Sequence, residues 1–173
     1  MATTLAGVIS IQHIGVPVPD LALARRFYVD FLGALEDVPP LEWANNPFID
    51  AAVGLKGSAA RQFFCRLGNV QSEAFEYSAP KQAVLDPRRG VREYGYSHLA
   101  QQVEDVAAVH ARILAEGLQV HAPPVMEAIT TDVDGVKHGY AGIYCRDYFG
   151  NVFEILEIHE CADIRGIERQ RSV

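Results

Sequence analysis

No apolar run in the 173-residue chain approaches the ~18 residues that a membrane-spanning helix needs, so none is expected. Basic residues are the minority. Fifteen Lys and Arg stand against 22 Asp and Glu, a formal charge of −7. That balance argues against nucleic acid as a main partner, because phosphate is gripped by a basic surface. Cysteine is scarce: Cys65, Cys145 and Cys161 are odd in number and lack CxxC spacing. This excludes a disulfide framework and points to reduced thiols, buried as small hydrophobes in a cytoplasmic protein. The opening MATTLAGVIS has no charged region followed by a long apolar core, so no secretory signal is expected. Also missing are GxGxxG after a strand, GxxxxGK(S/T) and GxSxG, which removes the usual dinucleotide, P-loop and serine-hydrolase readings.

What is present suits a soluble globular chain, with 49% apolar and 21% charged residues. The length allows one domain or two small, closely associated ones. Within it lies a repeat. His13 in QHIGVPVPD is followed seven residues later by Asp20, and His98 in SHLAQQVED by Asp105. Each Asp opens a run suited to a helix, LALARRFYVDFLG to Gly33 and VAAVHARILAEG to Gly117. Asp favours helix N-caps and Gly favours helix ends, so each copy reads as strand, capped helix, stop. The copies also close alike. GNVQSEAFEY (68–77) and GNVFEILEI (150–158) each start on a Gly-Asn turn and continue as a strand carrying Glu73 or Glu154. His13 and His98 are 85 residues apart, and Glu73 and Glu154 are 81 apart, so the first copy holds a small insertion.

Between helix and last strand each copy needs sheet. In the second copy, 118–124 and 138–147 are predicted strands flanking a turn at Asp134-Gly135. In the first, 61–68 is a predicted strand, preceded by a longer irregular segment with a short helix around 49–55. The fold expected is α+β: two tandem βαβββ modules, residues 1–80 and 95–160. A Pro- and charge-rich connector (81–94) joins them, and a polar tail (161–173) follows.

Side chains alternate between the two faces of a strand, so a His on the first strand and a Glu on the last can share a face. Doubling the unit offers four such groups: His13, Glu73, His98 and Glu154. Two imidazoles with two carboxylates form a mixed N/O donor set suited to one divalent ion such as Zn, Ni, Co, Mn or Fe. Positions would be left open for water or substrate oxygens.

The stretches HIGVPVPDLALARRFYVDFLG, GYSHLAQQVEDV and RDYFGNVFEILE resemble the vicinal oxygen chelate superfamily over roughly residues 9–160. That superfamily includes glyoxalase I, methylmalonyl-CoA epimerase, bleomycin-resistance proteins and extradiol dioxygenases. The resemblance implies an open, U-shaped sheet with helices outside, a homodimer, and a metal held by His13, Glu73, His98 and Glu154. Two departures are visible: SEAFEY in place of an aliphatic I-E-L pattern, with Glu76 as a rival ligand, and RDYFGN where many relatives carry Asp-Pro. In the glyoxalase and epimerase branches the ion grips adjacent oxygens of a small-molecule carbonyl substrate and stabilises an enediolate or enolate. Glu154 and Glu73 are then the catalytic acid/base candidates. The implied activity is isomerisation, epimerisation or lyase chemistry.

Alternatives stand beside this reading. An Fe(II) ring-cleaving dioxygenase would use two histidines and one glutamate, and a carboxylate at Glu73 counts against it. A drug-sequestering binder commonly lacks the metal set. Glu154 amid apolar residues has a plainer explanation in an ion pair with Arg146. His110 is expected on a helix surface, His159 in solvent and His138 at a hairpin edge, while His121 stays open. Trp43, Phe48, Phe63 and Phe64 suit core or pocket wall. Arg88, Arg89 and Arg92 suit a solvated connector better than a phosphate or CoA site.

Overall fold

The computed structural model describes residues 10–84 and 86–168. The expectation about a leader in the first nine residues, and the end of the polar tail, lie outside the described residues. The chain divides into two compact units, Met1–Ala83 and Val84–Val173.

The first unit runs β1 (His13–Pro17), α1 (Leu21–Arg25), β2 (Leu41–Ala44), α2 (Pro47–Val53), β3 (Ala59–Leu67) and β4 (Val70–Ala79). Its sheet has the order β1-β4-β3-β2, with β1 parallel to β4 and the other pairs antiparallel. The second runs β5 (His98–Gln102), α3 (Val106–Ala115), β6 (Gln119–Val120), β7 (Ile129–Thr131), β8 (Lys137–Arg146) and β9 (Val152–Ile158). Its order is β5-β9-β8-β6, with β5 parallel to β9 and β7 paired to β8. Both units are therefore mixed-sheet βαβββ modules, and neither sheet closes into a barrel among the described residues. Between β2 and β3 the first unit carries α2, capped by Asn46 and started by Pro47.

The capping signals act as expected. Asp20 accepts from the Leu23 amide at 2.9 Å, and Asp105 accepts from the Ala108 amide at 2.8 Å. The stops Gly33 and Gly117 have φ of 77° and 76°, a left-handed conformation that a side chain resists. The first helix departs from expectation in its middle. Regular α geometry ends at Arg25, and Arg26–Phe31 continues as a wider π-helix. The wider turn falls where bulky side chains follow one another, and it lets Phe27 and Phe31 stack at 5.9 Å.

Each core forms between the sheet and the helix that covers one face. Ala24, Phe27, Phe63, Cys65 and Ala74 are buried in the first unit, and Val106, Ile113, Ile143, Cys145, Phe153 and Ile155 in the second. Cys65 and Cys145 occupy equivalent register positions, one residue beyond the partners of Glu73 and Glu154. Burial pushes their thiols up to about 11 and about 12, so both stay protonated and inert at neutral pH.

Two strand expectations need correction. The 118–124 strand shortens to Gln119–Val120, because Pro123 and Pro124 cannot donate to a ladder. The Asp134-Gly135 turn instead joins β7 to β8, with the Asp132 amide donating to the Val136 carbonyl at 3.0 Å. Residues 80–97 contain neither helix nor strand among the described residues.

Candidate active site

In the first unit β1 lies beside β4 with Gly15 opposite Glu73, so His13 stands one step diagonal to that carboxylate on the same face. His13 Nε2 lies 3.2 Å from Glu73 Oε2. The second unit repeats this register: Ala100 stands opposite Glu154, and His98 Nε2 lies 3.2 Å from Glu154 Oε2. The other ring nitrogen is engaged in both copies, Nδ1 of His13 by Gln12 Oε1 and Nδ1 of His98 by Ser97 Oγ at 2.8 Å. Each imidazole also meets an aromatic ring edge-on, Phe64 at 5.6 Å and Tyr144 at 5.0 Å. The carboxylates are 12% and 15% exposed and the imidazoles 40% and 28%, so the acids sit deeper than the bases that meet them.

Electrostatics follow from this placement. Burial pushes the Glu73 carboxyl above its ordinary range, partly offset by His13 and a hydrogen bond from Gln62. Burial likewise raises the Tyr144 phenol, and the Glu154 carboxylate, to which it is hydrogen-bonded, adds to the effect.

The rival carboxylate has a different employment. Glu76 accepts from the Leu21 amide at 2.9 Å and pairs with Arg61 at 2.8 Å, at the start of α1. Glu157 does the same in the second unit, accepting from the Val106 amide at 2.9 Å at the start of α3. Each last strand thus carries Glu-x-x-Glu, and odd spacing sends the two acids to opposite faces: one to the imidazole, one to the helix N-terminus. The Arg146 explanation for Glu154 also falls away, since that guanidinium donates to the carbonyls of Gly150 (2.7 Å) and Arg89 (2.8 Å).

Residues 10–155 match the model of the Glyoxalase/Bleomycin resistance protein/Dioxygenase superfamily. The chain belongs to that superfamily. A 2-epi-5-epi-valiolone epimerase from Actinomyces sp. is 31% identical over 157 residues, 89% of this chain and 82% of the relative. Among solved structures, a glyoxalase family protein from Bacillus cereus superposes with a TM-score of 0.73 at 16% identity, covering 90% of this chain and 98% of that one. A fosfomycin resistance protein from Mesorhizobium loti gives 0.52 at 19% identity, covering 86% and 90%. These two share the superfamily fold.

Within either unit of this superfamily member, no three His, Cys, Asp or Glu side chains among the described residues gather as a metal site; each unit brings two. The donor chemistry nonetheless fits a divalent ion. Each imidazole has Nδ1 tied to a neighbour and Nε2 turned toward a carboxylate, the arrangement by which a second hydrogen bond orients a ligating histidine.

The remaining histidines serve elsewhere. His138 pairs with Asp132 at 2.9 Å across the β7–β8 hairpin, as a hairpin-edge residue would. His159, expected in solvent, instead bonds to the buried Glu157 at 2.8 Å. His110 is half-buried on α3. His121 stacks on Tyr144 at 6.1 Å, and burial lowers its basicity. In the connector, Arg88 and Arg89 pair with Asp86 and Glu93. A cavity of about 450 Å³ in the first unit, lined in part by Pro19, Arg25, Arg61 and Glu76, opens on the helix side of the sheet, away from the His13–Glu73 pair.

Three features of the site face escaped sequence reasoning: Gln62 beside Glu73, Tyr144 beside Glu154, and the grouping of Phe75 and Tyr77 with Trp43, which was expected only as core or pocket wall. The alternation of β4 would have placed Phe75 and Tyr77 with Glu73. Trp43 comes from β2, a strand hidden in an irregular-looking segment.

Proposed function

We propose that this chain is a divalent-metal-dependent epimerase of a small carbonyl substrate. The observation carrying the reading is the recurrence, in both units, of one imidazole and one carboxylate 3.2 Å apart in the same strand register. His13, Glu73, His98 and Glu154 would hold the ion. A bound divalent ion supplies Lewis acidity to the carbonyl oxygen, which makes the neighbouring C–H more acidic.

Inverting a carbon next to a carbonyl requires a base that takes its proton and an acid that returns one to the opposite face. Two carboxylates meet this need, and the chain carries them in matched settings. One of Glu73 and Glu154 accepts the proton from carbon while the other, protonated, donates one. The net proton count is unchanged. A placed acid or base of this kind is typically worth ~10²–10⁴-fold in rate. The imidazole beside each carboxylate fixes its orientation. Gln62 and the Tyr144 hydroxyl add a hydrogen bond each, to Glu73 and Glu154 respectively. The epimerase among the relatives supports this choice over lyase or dioxygenase chemistry, and its substrate is the first to try.

The test is incubation with 2-epi-5-epi-valiolone in D₂O. Expected is inversion at one carbon with deuterium incorporated there, abolished by chelation and restored by a divalent ion. Glu73→Gln and Glu154→Gln should each lower turnover by at least ~10²-fold. Undiminished turnover in either variant, or after thorough chelation, would overturn the proposal.

A further inference from the structure

The sheet face that carries Glu73 in the first unit also carries an aromatic wall. Glu73, Phe75 and Tyr77 alternate along β4 on one side, and their β3 partners are Phe64, Gln62 and Ala60. Gly15, on β1, faces the same side: a Cβ placed there would stand 3.3 Å from the Phe75 ring. Trp43 reaches this face from β2, opposite Ala60. Its indole meets both rings edge-on, Phe75 at 6.1 Å and 84° and Tyr77 at 5.8 Å and 87°, while Phe75 and Tyr77 lie 5.8 Å apart and tilted by 30°. All three are half-buried, so the wall keeps an open side.

The indole is held in place. Trp43 Nε1–H donates to Ser58 Oγ at 3.0 Å, and Ser58 Oγ–H donates in turn to Asp50 Oδ1. Ser58 is fully buried. Asp50 also accepts from the Gly57 and Ser58 amides at 2.7 and 2.8 Å. These bonds satisfy the indole N–H and fix the ring's orientation against Phe75 and Tyr77. The second unit lacks a counterpart: the positions matching Phe75 and Tyr77 are Leu156 and Ile158, by register from Glu154.

We infer that Trp43, Phe75 and Tyr77 form the platform on which one face of a cyclic, polyhydroxylated carbonyl substrate lies, and that this platform selects rings over open-chain carbonyls. The inference rests on the proposed role of Glu73. Two residues along a strand span roughly 7 Å, so a six-membered ring with its reacting carbon at Glu73 extends over Phe75 toward Tyr77. The C–H face of such a ring is apolar and suits an aromatic surface.

Trp43 is the chain's single tryptophan, so its emission reports on this wall alone. The experiment titrates the full-length, metal-loaded protein with 2-epi-5-epi-valiolone, a polyhydroxylated cyclohexanone, and with dihydroxyacetone as the open-chain comparison. A saturable change in emission is expected with the ring compound and none with the open-chain one. Trp43→Ala should raise KM about tenfold with kcat within about threefold, since stacking acts on the bound ring before and during reaction. Ser58→Ala, which frees the indole while keeping it, should raise KM in the same direction and guards against a Trp43→Ala variant that does not fold. Unchanged emission at ring concentrations that saturate turnover, or an unaltered KM in the variants, overturns the wall while leaving the epimerase reading intact. An emission change with no turnover upholds the wall and overturns the reaction. Absence of both the emission change and turnover overturns the platform.

Discussion

Two carboxylates three residues apart on each closing strand perform opposite tasks, and stability measurements should separate them. Glu157 is 2% exposed and accepts from the Val106 amide, His159 and Lys137. Removing it strands a buried helix N-terminal amide, so Glu157→Ala should cost about 2–3 kcal/mol in urea unfolding. Glu76, more exposed and facing Arg61, should cost about 1 kcal/mol when replaced by Ala. Glu154→Gln in metal-free protein should cost about 1 kcal/mol or less, because the amide oxygen can still accept from the Tyr144 hydroxyl and Glu154 caps no helix. Acid should reveal Glu157 as well. Burial pushes its carboxyl up, but the Val106 amide, His159 and Lys137 outweigh burial and hold it below its ordinary 4.5. Its contribution is therefore complete above pH 4.5 and fades as pH falls through the lowered folded value. Glu157→Gln should flatten the pH dependence of the unfolding midpoint in that acid window, and an unchanged slope would show that the carboxylate is not the group responsible.

At the scale of the element, a glycine that ends a helix and one near the start of a long strand make a contrast. Gly117 has φ of 76°, and a Cβ added there would meet nothing within 4 Å, so Gly117→Ala should cost about 1 kcal/mol, from backbone conformation alone. Gly139 has φ of 94°, and a Cβ there would lie 2.1 Å from the Ala128 carbonyl oxygen. Gly139→Ala should therefore cost about 3 kcal/mol or more and splay the β7–β8 hairpin, visible as a larger fall in melting temperature. The elements that were legible in the sequence share a trait: their signals are local. Asp20 and Asp105 cap, Gly33 and Gly117 stop, and Asp134-Gly135 turns, each through contacts within a few residues. What was not legible depends on partners distant in sequence. β2 and β7 are three or four residues long and have no pattern of their own; they exist because β3 and β8 offer an edge. The choice between Glu73 and Glu76 needed the parity of β4 against β1, and Trp43 joined Phe75 and Tyr77 only through the β2–β3 register. The π-helical stretch from Arg26 came from crowding of Phe27, Tyr28 and Phe31, which no capping rule foresees.

At the scale of the whole chain, the repeat sets a stoichiometric question. Each unit presents one imidazole and one carboxylate, and two donors from side chains rarely suffice to retain a divalent ion against water. If both pairs serve a single ion, the parent protein should bind one ion per chain. His13→Ala and His98→Ala should then each lose nearly all of it, and the double variant should lose little more, because residues acting on one ligand are not additive. If each pair held its own ion, the parent should bind two per chain, each single variant should keep half, and the double variant none. Elemental analysis of protein dialysed against limiting zinc, nickel or manganese reads the difference directly. Melting curves give a second reading, since an ion present at a hundred times its dissociation constant adds about 2.7 kcal/mol to the folded state. Under the shared-ion reading that increment vanishes in either single variant. Half the metal retained in His98→Ala would mean that the two copies work as separate sites, and the duplicated His–Glu pair would then need a different account of its chemistry.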